Sequence, residues 1–256
     1  MIKSINAIAL FLIIFLFSCK VTEQSTEFSG VNSACAYSFE ESSGHTVYDS
    51  SGNGATGFLF GTNVTMQQQG KSGYCYDWTL NTTTPYSYIK INTPQSVHNN
   101  TTGFSITGWL YFSTIPSGYH AIINKYKNAN NYRSFLFRLN SNRRLYFYVY
   151  YSTTGQRNTY TGTLTADTWH FFVATFEYVG STNSKLRIYV DGVQAAASNT
   201  ARGPMMQSTS DLIIGGELNA SDVPGTYRFR AGKLDEFRFY NRVISSTEAA
   251  QMYYSQ

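Results

Sequence analysis

The chain has 256 residues, 42% of them hydrophobic and 13% charged. That apolar share is enough for a sizeable core and excludes a disordered polypeptide, while a formal net charge of +4 is too small an excess to indicate binding to nucleic acid or to a membrane surface. At this length, with no internal repeat, low-complexity run or interdomain linker, one large domain is the economical reading.

Residues 1–19 read as a targeting segment. Lys3 supplies a positive end, Ile5 to Phe17 an apolar run too short for a typical membrane span, and Leu16-Phe17-Ser18-Cys19 a processing end. This resembles a bacterial lipoprotein signal ending in a lipobox, which implies that Cys19 becomes the lipidated first residue. Phe17 departs from the usual small residue, so plain secretion or anchoring by the segment itself is the alternative. Residues 20–31, polar and aperiodic, read as a tether to a domain spanning 32–256. The expected location is the outer membrane or cell surface, with membrane contact through the lipid anchor only. In such an oxidising setting the two remaining cysteines, Cys35 and Cys75, are expected to form a disulfide between the first two strands, two buried free thiols being the alternative.

Beyond the tether, short apolar runs alternate with Gly, Asn, Ser and Thr. Strands are predicted near Ala36 to Phe39, Thr56 to Phe60, Tyr74 to Trp78, Tyr88 to Ile91, Phe104 to Phe112, Ala121 to Lys125, Ser134 to Leu139 and Leu145 to Tyr151. Trp169 to Phe176 follows, with Trp169, Phe171 and Val173 on one face and Phe172, Ala174 and Phe176 on the other, as in a central strand covered on both sides. Lys185 to Val190 alternates cleanly, and Asp191-Gly192 then marks a two-residue hairpin, because both residues of a type I′ turn take positive φ. Leu212 to Ile214 and Leu234 to Tyr240 complete the set. The one helix signal is the capping box Ser245-Ser246-Thr247-Glu248 ahead of Ala249 to Tyr254. The fold class is all-β, a two-sheet antiparallel sandwich with a short C-terminal helix.

Five pieces, AYSFEESSGHTVYDSSGNGATG (36–57), GKSGYCYDW (70–78), FSITGWLYF (104–112), WHFFVATFEY with LRIYVDGVQ (169–194) and GKLDEFRFYNRVISSTEAAQMY (232–253), occur in the order and spacing of a known family. With these, the chain resembles the laminin-G-like domains of the concanavalin A-like lectin/glucanase superfamily. The resemblance implies a jelly roll attached to adhesion, glycan-binding or glycan-processing proteins. It also implies that the first and last strands lie together and share a Ca²⁺ with the Asp49 to Gly54 loop. The residues agree in kind. Asp235 shares strand parity with Phe237 and Phe239, so its carboxylate is expected inward or at the sheet margin, where it needs a cation, a base or several N–H donors. Glu40, Asp49, Asn53 (through its carbonyl) and Asp235 are therefore the expected ligands of a structural calcium, hard oxygen donors being what that cation takes. The alternative has Asp49 capping its own turn and Asp235 paired with Arg238 or Arg242.

A second constellation is basic and aromatic. Between Asp77 and Asp167 there is no Asp or Glu, while Lys90, Lys125, Lys127, Arg133, Arg138, Arg143, Arg144 and Arg157 alternate with tyrosines. In Leu145 to Tyr151 the odd positions suit the core, so Tyr146, Tyr148 and Tyr150 are expected to form an outward ladder, with Arg138 beside it and Tyr126 and Tyr132 nearby. Flat rings stack on sugars and guanidinium groups bind hydroxyls or carboxylates, so this face is the expected glycan site, an acidic glycan included. The alternative is ordinary cross-strand tyrosine packing. On the ladder reading Arg138 is removable with little loss of stability, and the Asn128 to Tyr132 loop is the next place for a site.

Catalysis is not expected. The paired carboxylates Glu-x-Asp-x-x-Glu of glucanases are absent, as is a Gln-x-His of polysaccharide lyases; His45, His98, His120 and His170 are isolated, His170 fitting a core margin. Two classes of function remain: a surface module binding carbohydrate or mediating adhesion, and an interaction domain binding an extracellular or envelope protein, with a polysaccharide-degrading enzyme as a remote third.

Overall fold

A computed structural model describes residues 32–91, 100–129, 132–152, 155–223, 225 and 227–256; the expected targeting segment with Cys19 and the expected tether lie outside the described residues. In chain order the strands are β1 (Cys35–Tyr37), β2 (Thr46–Val47), β3 (Gly57–Phe60), β4 (Thr65–Gln69), β5 (Tyr74–Asp77), β6 (Tyr88–Ile91), β7 (Gly103–Phe112), β8 (Tyr119–Asn128), β9 (Arg133–Asn140), β10 (Leu145–Tyr150), β11 (Gln156–Tyr160), β12 (Thr168–Gly180), β13 (Asn183–Val190), β14 (Val193–Thr200), β15 (Leu212–Ile214), β16 (Leu218–Asn219) and β17 (Gly232–Tyr240), followed by helix α1 (Ser246–Tyr254). One sheet has the order β14-β13-β12-β7-β17-β5-β4, with β1 also on β17. The other runs β11-β10-β9-β8-β15-β6-β3-β2, with the two-residue β16 laid parallel on β8. This is the expected sandwich of two antiparallel sheets.

Strand β12 shows why. Phe172, Ala174 and Phe176 enter the core between the sheets, whereas Phe171 and Val173 belong to a separate cluster under α1, with Ile244, Ala249 and Met252. A strand buried on both faces has no polar parity, and the helix is what covers its second face. Ser245 caps that helix by accepting from the Glu248 amide at 3.1 Å. The Asp191-Gly192 hairpin has φ of 51° and 79°, as a type I′ turn requires, and a side chain at Gly192 would press on Ala250 and Tyr253 of α1. Strands β2, β4 and β11, which the sequence does not reveal, are the outermost members of their sheets. Sequences such as TMQQQ and QRNTY carry no two-sided apolar pattern because an edge strand does not need one.

Two expectations about the ends of the chain are corrected. Cys35 and Cys75 are both buried and free, not bridged. Both lie along β17, but Cys35 pairs with Phe239 while Tyr76, next to Cys75, pairs with Leu234. That offset of several residues separates the cysteines by roughly 13 Å at the rise of a strand, beyond the reach of a disulfide. Asp235 does not share a face with Phe237. A register shift lies between Asp235 and Arg238, with Glu236 at φ 48°, and Asp235 pairs with Trp109 of the cluster under α1. A bulge inserts an extra residue and so reverses the parity that simple alternation predicts.

Candidate ligand-binding site

The residues expected to share calcium lie at two separate turns. Asp49 Oδ1 accepts from the amides of Ala36 (2.9 Å) and Ser51 (3.0 Å), and Oδ2 from the Ser51 hydroxyl and the Ala55 amide, both at 2.9 Å. Burial alone would raise its pKa, yet these four donors hold it below the usual carboxylate value. A carboxylate has about four lone-pair sites, and all are occupied. Asn53 turns its amide to the Ser33 carbonyl at 2.8 Å. Glu40 instead accepts from the Tyr74 amide (3.0 Å). Asp235, fully buried, accepts from the amides of Lys71 (2.8 Å), Ser72 (3.1 Å) and Glu236 (2.8 Å), with its pKa pushed up to about 7 by burial against those donors. Arg238 pairs with Glu236 and Arg242 with Glu248, so neither meets Asp235. Among the described residues no group of three or more His, Cys, Asp or Glu side chains converges as a metal site.

The basic, aromatic stretch does assemble on the outer face of the second sheet. Register sets Tyr146 opposite both Arg138 and Tyr160. The ladder, however, packs on itself: the Tyr146 ring stacks on Tyr160 at 4.9 Å and on Tyr148 at 6.0 Å, and the Tyr119 ring meets it edge-on at 5.6 Å. Tyr126 and Tyr150 are buried against each other and Leu136, and Tyr132 is exposed beneath Lys127. The most exposed rings of this face are Tyr160, 50% exposed at the sheet edge, Tyr227, 40% exposed, and Tyr132, 38% exposed.

Tyr227 belongs to a segment that crosses this face after β15. The crossing starts at Gly215, whose φ of 80° and close approach to the Trp78 ring leave no room for a side chain. Its neighbour Gly216 accepts from Asn124 Nδ2 at 2.5 Å, and the next residue, Glu217, is delivered beneath Arg138. Arg138 donates to Glu217 Oε1 through Nε (2.6 Å) and Nη2 (2.5 Å). Burial pushes the Glu217 pKa up to about 7, against the opposing pull of the guanidinium. Asp211, just before β15, pairs with Lys90 at 2.9 Å, and Asp222, within the crossing segment, pairs with Lys127. Acids distant in sequence thus neutralise three cations of the acid-free run.

Over the Arg138–Glu217 pair opens a pocket of about 450 Å³, walled by Tyr86, Tyr126 and Tyr227 and by Arg228. The Tyr227 ring faces the Arg138 guanidinium at 4.7 Å, and Arg228 lies over Tyr86 at 3.7 Å while donating to the carbonyls of Asn81 and Thr82. Two amides complete the rim, Asn128 and Asn219. Of the expected ligand residues, the fold brings Arg138 and Tyr126 to this pocket; Glu217, Tyr227, Tyr86 and Arg228 are additions. No local pattern marks Glu217, a lone acid after two glycines, because its partner stands 79 positions away.

The comparisons agree with this architecture. Residues 81–250, more than half of the chain, match the Laminin_G_3 model of the concanavalin A-like lectin/glucanases superfamily. The chain belongs to this superfamily. No curated protein matches it in sequence. Among solved structures, this superfamily member is similar to the binding domain of Paraclostridial Mosquitocidal Protein 1, with 16% identity, a TM-score of 0.66, and 87% of this chain and 52% of that one covered. It is also similar to the binding domain of botulinum neurotoxin DC in complex with SialylT (13% identity, TM-score 0.63, 88% and 51% covered) and in complex with rat synaptotagmin II (13%, 0.63, 89% and 52%). The chain spans about half the length of these binding domains. Identities this low carry the fold alone.

Proposed function

We propose that this lectin-like domain is a non-catalytic carbohydrate-binding module whose ligand enters the pocket over Arg138 and Glu217. The observation that carries the reading is that pocket: concave, walled by three tyrosine rings, with an arginine, a carboxylate and two amides converging on it, the composition by which sugars are held. The binding domain solved with SialylT supports the glycan reading by analogy of fold. A protein partner is the second reading, favoured by Phe58 and Phe60, 45% and 43% exposed on the outward side of β3, and by the complex of a similar fold with synaptotagmin II. Attachment to the cell envelope through a lipidated Cys19 completes the proposal, and Cys19→Ser is expected to move the protein out of the membrane fraction. The binding test is a glycan array. Wild type should bind a defined set of glycans, and Tyr227→Ala should weaken that binding by about fivefold, the equivalent of roughly 1 kcal/mol of aromatic packing. An array without signal, together with specific capture of an envelope protein that Phe60→Ala abolishes, would replace this reading with the second.

A further inference from the structure

Resting on the carbohydrate reading, we infer that the pocket selects a neutral, hydroxyl-rich sugar unit and reads its hydroxyls through the Glu217–Arg138 pair, not an acidic sugar as the acid-free sequence run implies. The charges decide this. Lys90, Lys127 and Arg138 are each matched by a carboxylate from residues 211–222. Arg228 is stacked on Tyr86 with Nε and Nη2 directed at main-chain carbonyls, and Arg133 donates to Asn128 Oδ1 at 3.1 Å. An anionic ligand would meet these engaged cations and a carboxylate on the pocket floor. A cationic ligand would meet rings already faced by guanidinium groups, Tyr227 by Arg138, Tyr86 by Arg228 and Tyr126 by Arg133.

The hydrogen-bonding groups fit a neutral polyol. Both Arg138 donors converge on Glu217 Oε1, and among the described residues no donor meets Oε2. The rim offers the complement. Asn128 Oδ1 accepts from Arg133 and the Tyr126 hydroxyl, and Asn219 Oδ1 accepts from the amides of Ser221 (2.9 Å) and Val223 (3.1 Å). With each amide oxygen fixed, the NH₂ groups are left as donors. A carboxylate acceptor on the floor and amide donors on the rim suit hydroxyls, which donate and accept at once.

The test is affinity of the full chain for neutral gluco-, manno- and galacto-oligosaccharides against polygalacturonate and a sulfated glycosaminoglycan, each at low and high salt. Neutral oligosaccharides should bind with affinity that stays within about twofold as salt is raised, since no net charge is matched. Glu217→Gln should weaken them about tenfold, as expected for loss of a charged acceptor worth roughly 1.5 kcal/mol, and Tyr227→Ala, which leaves the buried pair intact, about fivefold. Binding confined to the acidic polymers, or falling steeply with salt, overturns the inference while leaving carbohydrate binding in place. Binding of neutral sugars that neither variant alters overturns it too, and absence of any glycan binding removes both it and the function on which it rests.

Discussion

Arg138 and Glu217 share a single carboxylate oxygen at 2.6 and 2.5 Å with their side chains only 11% and 6% exposed, so each is the other's remedy for burial. From the sequence, Arg138 is an outward cation whose removal costs little stability. In the fold, Arg138→Ala strands a buried carboxylate, and breaking such a pair typically costs about 3–5 kcal/mol. The Glu217 pKa already lies above its unfolded value, so the folded chain holds that proton more tightly, and stability falls as pH rises between the two values. Chemical denaturation should therefore show a larger loss for Arg138→Ala at pH 8 than at pH 5. A loss below about 0.5 kcal/mol at both, the range of ordinary surface substitutions, would refute the buried pair.

His170 supplies a second pH signature. Its Nδ1 meets Asp191 Oδ2 at 2.8 Å and its Nε2 the Thr165 carbonyl at 2.9 Å, two acceptors that favour the doubly protonated ring. Burial disfavours that charge, but the bonds to Asp191 and Thr165 outweigh it and hold the pKa above its usual value. The contribution is full below the unfolded pKa, about 6.5, and is lost as pH rises through the folded value. Asp191→Asn preserves the positive-φ turn and the oxygen that accepts from the Phe171 amide, while offering Nδ1 a donor that suits neutral imidazole. Melting curves of this variant should show a shallower decline above pH 6.5 than wild type; parallel declines would remove His170 as the cause.

Asp49 organises its loop through four donors that occupy its carboxylate oxygens. Asp49→Ala leaves the buried Ala36 and Ala55 amides without acceptors, at about 1–3 kcal/mol each. The melting temperature of wild type should be the same with calcium and with chelator. A calcium-induced rise that Asp235→Asn abolishes would restore the cation site, since a ligand binding only the folded state stabilises it.

Both buried thiols are inert. Burial pushes the Cys35 and Cys75 pKa values up to about 12, far from thiolate formation at neutral pH. A thiol reagent followed by peptide mapping should leave both unmodified in the native protein and label both after denaturation, and reductant should not change the melting temperature. Recovery of a Cys35–Cys75 cross-linked peptide would contradict the register of β1 and β5 on β17.

Local chemistry made much of this protein legible before folding. The doubly apolar run of β12, the alternation of β13, the Asp191-Gly192 turn and the Ser245 cap are each fixed by residues within a few positions of one another, and each is where the sequence places it. The outward tyrosines of β10 also follow from alternation alone, though not their packing into a self-stacked ladder. What only the tertiary structure decided are relations between distant segments. The bulge at Glu236 turns Asp235 toward Trp109, and the offset of β1 and β5 along β17 keeps the cysteines apart. The glycine crossing at Gly215 carries Glu217 and Asp222 over a strand face that reads as purely basic. Strand parity and turn chemistry are short-range, but a bulge, a register offset and a charge pair are set by which strands lie side by side, and no window of the sequence contains both partners.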